Sequence, residues 1–127
     1  MTTVTATALA QFPDRPSAYD LRVYHVAEEE LETLERVLRE LALPMMPDHG
    51  MEAIEVWADR GSNMLYQISR HDSLEAIKGN WDRLHADPRW QAGLKALRQD
   101  RIVVQGVRTT LLTGIAGLPP FAGATAA

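Results

Sequence analysis

The chain has no cysteine, so it can build no disulfide framework and offers neither a thiolate metal ligand nor a sulfur nucleophile. That absence fits a reducing cytoplasm, the expected compartment. There is no run of about 18 apolar residues, the length at which a helix crosses a bilayer, and no membrane association is expected. Positive charge is scarce: 13 Lys and Arg stand against 17 Asp and Glu, a net charge of −4. No basic cluster occurs, and nucleic-acid binding, which needs a positive surface to displace phosphate counterions, is not expected. A glycine-rich phosphate loop is missing too, so a nucleotide has no support. His25, His49, His71 and His85 are separated by 24, 22 and 14 residues. None forms a His-x-His or His-Glu-x-x-His pair, so no metal, haem or other cofactor is expected.

What is present is enough for one domain. The chain has 127 residues, 46% of them hydrophobic and 24% charged, an ordinary balance for a globular protein with a real core. Residues 1–16 read as a loose arm, Thr/Ala-rich and punctuated by Pro13 and Pro16; without Lys or Arg near its start it makes a poor signal peptide. Residues 114–127 are rich in Gly, Pro and Ala and read as an irregular tail. Within the tail, Leu118-Pro119-Pro120-Phe121 is apolar enough to fold back over a pocket or onto a partner subunit. The domain itself is expected over residues 17–113.

Tyr19 to Val26 alternates with period two, placing Tyr19, Leu21, Val23 and His25 on one face and Asp20, Arg22, Tyr24 and Val26 on the other. Glu28, Glu29 and Glu30 then supply the negative charge that a helix N-terminus favours. Leu31, Leu34, Leu38 and Leu41 follow at helical spacing, widened by Val37, and Pro44 is expected to stop that helix. Met51 to Ala58 and Asn63 to His71 read as two strands joined by the turn Asp59-Arg60-Gly61-Ser62. Asp72 and Glu75 look like a capping box for a second helix with Leu74, Ile77, Trp81 and Leu84 along its seam. Asp87-Pro88 opens another helical piece carrying Trp90, Leu94 and Leu97. A last strand is expected from about Arg101 to Leu112, with Gly106 as a candidate bulge.

Strand, helix, strand, strand, helix, strand is the ferredoxin-like α+β plan: four antiparallel strands with helices on one face. The other face does not read as soluble, because apolar residues lie on both sides of the first and last strands. A sheet apolar on both faces is normally covered on both, and a second copy packed sheet to sheet across a two-fold axis provides the cover. A homodimer is expected.

Tyr19-Asp20-Leu21-Arg22-Val23-Tyr24 resembles the Tyr-x-Leu-Arg-x-Tyr opening of NIPSNAP domains. The likeness continues through Ala42-Leu43-Pro44, His49-Gly50, Trp57 and Trp81, and closes on Asp87-Pro88-Arg89-Trp90-Gln91. It runs from about Tyr19 to Thr113. It implies a dimeric α/β barrel and carries no common catalytic motif, since such barrels serve monooxygenases, haem-degrading enzymes, isomerases, lyases and non-catalytic binders alike.

Arg22 is the first candidate for chemistry. A charged side chain in mid-strand is costly to bury unless paired; it either holds a substrate oxyanion with its guanidinium fork or forms a salt bridge to Glu52 or Glu55. Tyr24, two residues on and on the same face, would add a phenol donor or simply fill core. His49, on the loop before the second strand, is placed to act as general acid or base or to tie the loop down. His25, His71 and His85 read as surface residues near element ends. Trp57, Tyr66 and Trp81 are candidates to line a pocket for a flat organic ligand, Trp57 more than Trp81 or Trp90, which also suit helix-on-sheet packing. Met45, Met46 and Met51 would form a pliable surface around His49, as lid or as filler.

Together these residues point to metal-free, cofactor-free acid–base chemistry on a small apolar molecule of secondary or degradative metabolism, of the isomerase, cyclase, lyase or oxygenase type. Arg22 would steady negative charge and Tyr24 or His49 would move the proton. The competing reading is a non-catalytic dimer that binds a ligand or a protein partner.

Overall fold

The structure, a computed structural model, describes residues 18–115. The Thr/Ala arm and the Leu118–Phe121 stretch lie outside the described residues. Strands β1 (Ala18–Val26), β2 (Met51–Asp59), β3 (Met64–His71) and β4 (Val104–Thr113) form one sheet in the order β2-β3-β1-β4. Every neighbouring pair is antiparallel. Helices α1 (Leu31–Val37), α2 (Leu74–Ala86) and α3 (Pro88–Arg98) complete the ferredoxin-like α+β architecture. No helix among the described residues is long and apolar enough to cross a membrane.

The core follows from period two in β1 and β3. Tyr24 and Val26 meet Leu31, Leu34, Val37 and Leu38 of the first helical segment, with Leu65 from β3. Ala18 and Met51 close a second cluster with Ile77, Trp81 and Leu84 of α2. Met45, Met46 and Met51 belong to this cluster and are almost wholly buried; they fill core rather than form a surface around His49. Leu74, expected in the seam of α2, is exposed instead.

Pro44 does not end the first helix. A proline ring collides with the carbonyl four residues back in α geometry, and the chain relieves this by widening to a π turn over Leu38–Ala42. One more α turn (Leu43–Met45) and a 3-10 turn (Met46–His49) follow. The true stop is Gly50, at φ +77°, a left-handed conformation glycine adopts freely. At the other end, Glu28 and Glu29 precede the helix rather than occupy its first turn, and Glu30 is the N-cap. Gly93 on α3 permits close helix packing, since a Cβ there would stand 2.6 Å from Leu41 Cδ1.

The β2–β3 hairpin closes through Asp59, whose carboxylate accepts from the Gly61 and Ser62 amides at 3.1 and 3.2 Å and from the Ser62 hydroxyl at 2.6 Å. Two irregularities set the phase of the edge strands. In β2 the register with β3 shifts between Ala53 and Glu55, so Ala53 faces the helices while Glu55 and Trp57 face away. Simple alternation had put Ala53, Glu55 and Trp57 on one side; the extra residue Ile54 breaks it. In β4, Val26 pairs with Val104 and His25 with Gly106, leaving Gln105 as the extra residue beside the expected glycine.

Helix α2 is capped by Ser73, whose Oγ accepts from the Ala76 amide at 3.2 Å, one residue later than the Asp72/Glu75 pairing expected. Helix α3 opens as its sequence implies, with Asp87 as N-cap accepting from the Arg89 amide and Pro88 following. Ser73→Ala should therefore lower unfolding free energy by about 1 kcal/mol. Asp72→Ala should change it by less than about 0.5 kcal/mol, with urea denaturation as the measurement.

Candidate functional site

The three helices cover the sheet unevenly. On the helix side of β4, Val107 pairs with Tyr24 and Leu111 with Asp20, yet Val107 is 44% exposed and Leu111 53%. Between this uncovered edge and the helices lies a cavity of about 410 Å³. Its walls are aliphatic, from Leu34, Val37 and Leu38 on one side to Val104 and Val107 on the other. The π turn that Pro44 imposes contributes Leu38 and Ala42 to that wall. Arg22, Tyr24, Trp81, His85 and Trp90 supply its polar and aromatic part.

Arg22 is held from two sides. Its Nε donates to the Tyr24 hydroxyl at 3.0 Å, and its guanidinium carbon lies 4.3 Å from the Trp81 ring centroid, a cation–π contact. The salt bridge weighed for Arg22 goes elsewhere, because Glu52 pairs with Arg70 at 2.9 Å on the far face of the sheet. Tyr24 passes the contact on: its hydroxyl donates to Gln67 Oε1 at 3.3 Å, and Gln67 Nε2 donates to Ser69 Oγ at 3.2 Å and Met46 Sδ at 3.4 Å. Burial raises the Tyr24 phenol above its ordinary value by more than the charge and hydrogen bond of Arg22 lower it. Tyr24 therefore stays protonated, with its proton committed to Gln67.

Trp81 is fixed by a residue that the sequence reading passed over. Asp20, fully buried, accepts from Trp81 Nε1 at 2.7 Å and from His71 Nε2 at 2.9 Å. His71 Nδ1 in turn accepts from Asn80 Nδ2 at 2.9 Å, and the same Asn80 nitrogen donates to the Gly50 carbonyl at 3.2 Å. Asn80 Oδ1 receives Arg83, which fixes the amide orientation and leaves the His71 proton on Nε2. His71 is thus a buried structural residue, not a surface one.

His85 was also missed. It sits one helical turn after Trp81, stacked on that ring at 5.8 Å and tilted against Trp90 at 5.4 Å. Burial first, then the charge of Arg22, push its imidazole below the usual histidine value, with Asp82 pulling weakly the other way. The imidazole is uncharged at neutral pH. The Trp81-x-x-x-His85 spacing, which puts both rings on one helix face, was the available signal.

The other candidate residues lie elsewhere. His49 is outside the cavity wall, with Nε2 3.0 Å from Asp87 Oδ2. Hydrogen bonds from Arg89, then from His49, hold that carboxyl far below the ordinary range. His49 thus ties the loop to the start of α3. Trp57 and Tyr66 are paired neighbours on the opposite face of the sheet, with Trp57 47% exposed. Of the residues weighed for a pocket from the sequence, the cavity brings together Arg22, Tyr24, Trp81 and Trp90. Among the described residues no three of His, Asp and Glu converge as a metal site would require.

The element order and the sheet define the ferredoxin-like α+β class. Within it, residues 19–116 match the NIPSNAP family, and the chain belongs to that family. An uncharacterised NIPSNAP domain protein from Burkholderia xenovorans superposes with a TM-score of 0.65 at 16% identity, covering 80% of this chain and 98% of that one. A NIPSNAP family protein of unknown function from Agrobacterium tumefaciens gives 0.64 at 18% identity, covering 80% and 90%. A dimeric ferredoxin-like protein from an uncultured marine organism gives 0.54 at 13% identity, covering 84% and 94%. At these identities the likeness concerns the fold. No curated protein matches the chain.

The lowered value of His85 has a thermodynamic consequence. The unfolded chain binds this proton near pH 6.5 and the folded chain only at lower pH, so stability falls as pH drops below about 6.5. Thermal melts of wild type and His85→Asn at pH 7.5 and pH 5.5 should show a smaller loss on acidification in the variant.

Proposed function

We propose that this protein is a metal-free acid–base enzyme acting on a small, largely apolar organic molecule bound between sheet and helices. The observation that carries the proposal is an uncharged imidazole, His85, sharing an apolar cavity with a guanidinium, Arg22, that has no carboxylate partner among the described residues. An uncharged imidazole accepts a proton at neutral pH. A fixed cation in a water-poor site lowers the energy of an oxyanion formed as that proton leaves.

Each residue then has a role. His85 takes the proton from carbon next to a substrate carbonyl, and Arg22 receives the charge on the carbonyl oxygen. Tyr24 holds Arg22 in place through its hydroxyl, and its raised phenol is a poor proton carrier. Trp81 offers a flat wall to the substrate and a π face to Arg22. His49, tied to Asp87, has no part in the reaction. An isomerisation, cyclisation or elimination in secondary or degradative metabolism uses such a step. The cysteine-free composition suits a cytoplasmic setting.

Proton exchange in deuterated water, followed by proton NMR, tests this with apolar ketones and β-keto acids, 2-tetralone and benzoylacetate among them. Exchange above the spontaneous rate should fall by roughly a hundredfold or more in His85→Asn and in Arg22→Ala. No enzyme-dependent exchange with any compound would favour the non-catalytic binder.

The proposal includes a homodimer. The face of the sheet away from the helices carries Tyr19, Leu21, Val23, Tyr66, Ile68 and Trp57, an apolar surface that no helix among the described residues covers. A second copy packed face to face would bury it, and one of the similar structures is itself dimeric. Sedimentation velocity should give twice the chain mass for wild type and the single mass for Trp57→Glu. A wild-type protein at the single chain mass would sink the dimer.

A further inference from the structure

We infer that the cavity selects an apolar-bodied carboxylate, bound head-first to the outer edge of the Arg22 guanidinium; the inference rests on the pocket proposed above but asks nothing of catalysis. The cavity is cationic in an acidic protein. Among the described residues two arginines, Arg22 and Arg98, line it and no carboxylate does, whereas the whole chain carries a net charge of −4. Had the acidic surplus been spread evenly, the wall would hold at least as many acids as bases.

The guanidinium is presented in a way that leaves one edge for a ligand. One π face rests on Trp81, and Nε is committed to Tyr24. The two terminal nitrogens make no hydrogen bond among the described residues and offer the parallel N–H pair that matches a carboxylate. A half-buried cation without a counter-charge is costly in apolar surroundings, and an incoming anion removes that cost. An incoming ammonium would add to it. A neutral amide would gain the contacts of the wall without the charge pairing.

The shape specifies the rest. A volume of about 410 Å³ falls within the roughly 300–1,000 Å³ of small-molecule pockets, near the lower end, which suits a compact bicyclic acid such as a naphthoate. Aliphatic side chains and the faces of Trp81 and Trp90 surround that space, so the body must be apolar and a flat ring system is accommodated. Arg98, half-buried on α3 with Nη1 donating to the Arg101 carbonyl at 3.3 Å, adds a second positive charge that favours anions over neutral analogues.

Isothermal titration of the full chain with 2-naphthoate, 2-naphthamide and 2-naphthylmethylammonium tests the inference. The carboxylate should bind, the amide at least roughly tenfold more weakly, and the ammonium not measurably. Arg22→Gln should weaken naphthoate by roughly ten- to a hundredfold and leave the amide unchanged. Val107→Trp, an exposed change on β4 that narrows the cavity without disturbing the core, should weaken both. The inference is overturned if the amide matches the carboxylate, if Arg22→Gln or Val107→Trp leaves naphthoate binding intact, or if none of the three compounds binds. A protein that binds naphthoate yet exchanges no substrate proton would keep the anion pocket and lose the enzyme.

Discussion

The carboxylate of Asp20, wholly out of water near the start of β1, constrains the rest of the site. A buried carboxylate is tolerable only when its lone pairs are satisfied, and two donors from distant parts of the chain do this: Trp81 Nε1 from α2 and His71 Nε2 from β3. That pair of bonds orients the indole. The oriented indole is what Arg22 lies against, and the position of Arg22 sets that of the Tyr24 hydroxyl and hence of Gln67. Helix, sheet and cavity are thereby joined through one charge. Removing either donor would leave that charge partly unpaired, which costs several times more than losing a hydrogen bond on the surface.

The cavity owes its character to uneven cover. The π turn before Pro44 turns Leu38 and Ala42 toward the sheet, while the helix side of β4 stays open beyond Val104. Aliphatic side chains of helix and sheet line this space, and it opens along β4, where Val107 and Leu111 are exposed. In such surroundings burial first, and the charge of Arg22 second, push the His85 imidazole below its ordinary value. Apolar walls and cation thus act in the same direction on the neighbouring base: both disfavour its charged form, the walls more than the cation.

Much of the fold was legible because the local signals agree with the tertiary outcome. Period two in β1 and β3, the Asp59 turn and the Asp87-Pro88 start of α3 each depend on residues a few positions apart. So did the placing of Arg22 and Tyr24 on one face. What escaped depends on partners far along the chain or on a single inserted residue. Asp20 looks like any polar member of an alternating strand until Trp81, 61 positions away, turns toward it. Trp57 was put on the same side as Ala53 because nothing in the local sequence marks Ile54 as a bulge. Pro44 read as a stop because a π turn, the cheaper escape here, leaves no compositional trace. His85 was passed over for the opposite reason: its spacing from Trp81 was visible, but it gained weight only once Arg22 was seen beneath the same ring.

The two faces of β1 are occupied by separate tasks. Asp20, Arg22 and Tyr24 look toward the helices, and Tyr19, Leu21 and Val23 look away from them, interleaved one by one along the same strand. Substitutions at even positions alter the side turned toward the helices and the cavity, and substitutions at odd positions alter the outer face of the sheet, without either set touching the other. A strand wired in this manner lets one face change over generations while the other stays as it was. It forbids one kind of change altogether: a single residue gained or lost within β1 would exchange the two sets and forfeit both at once.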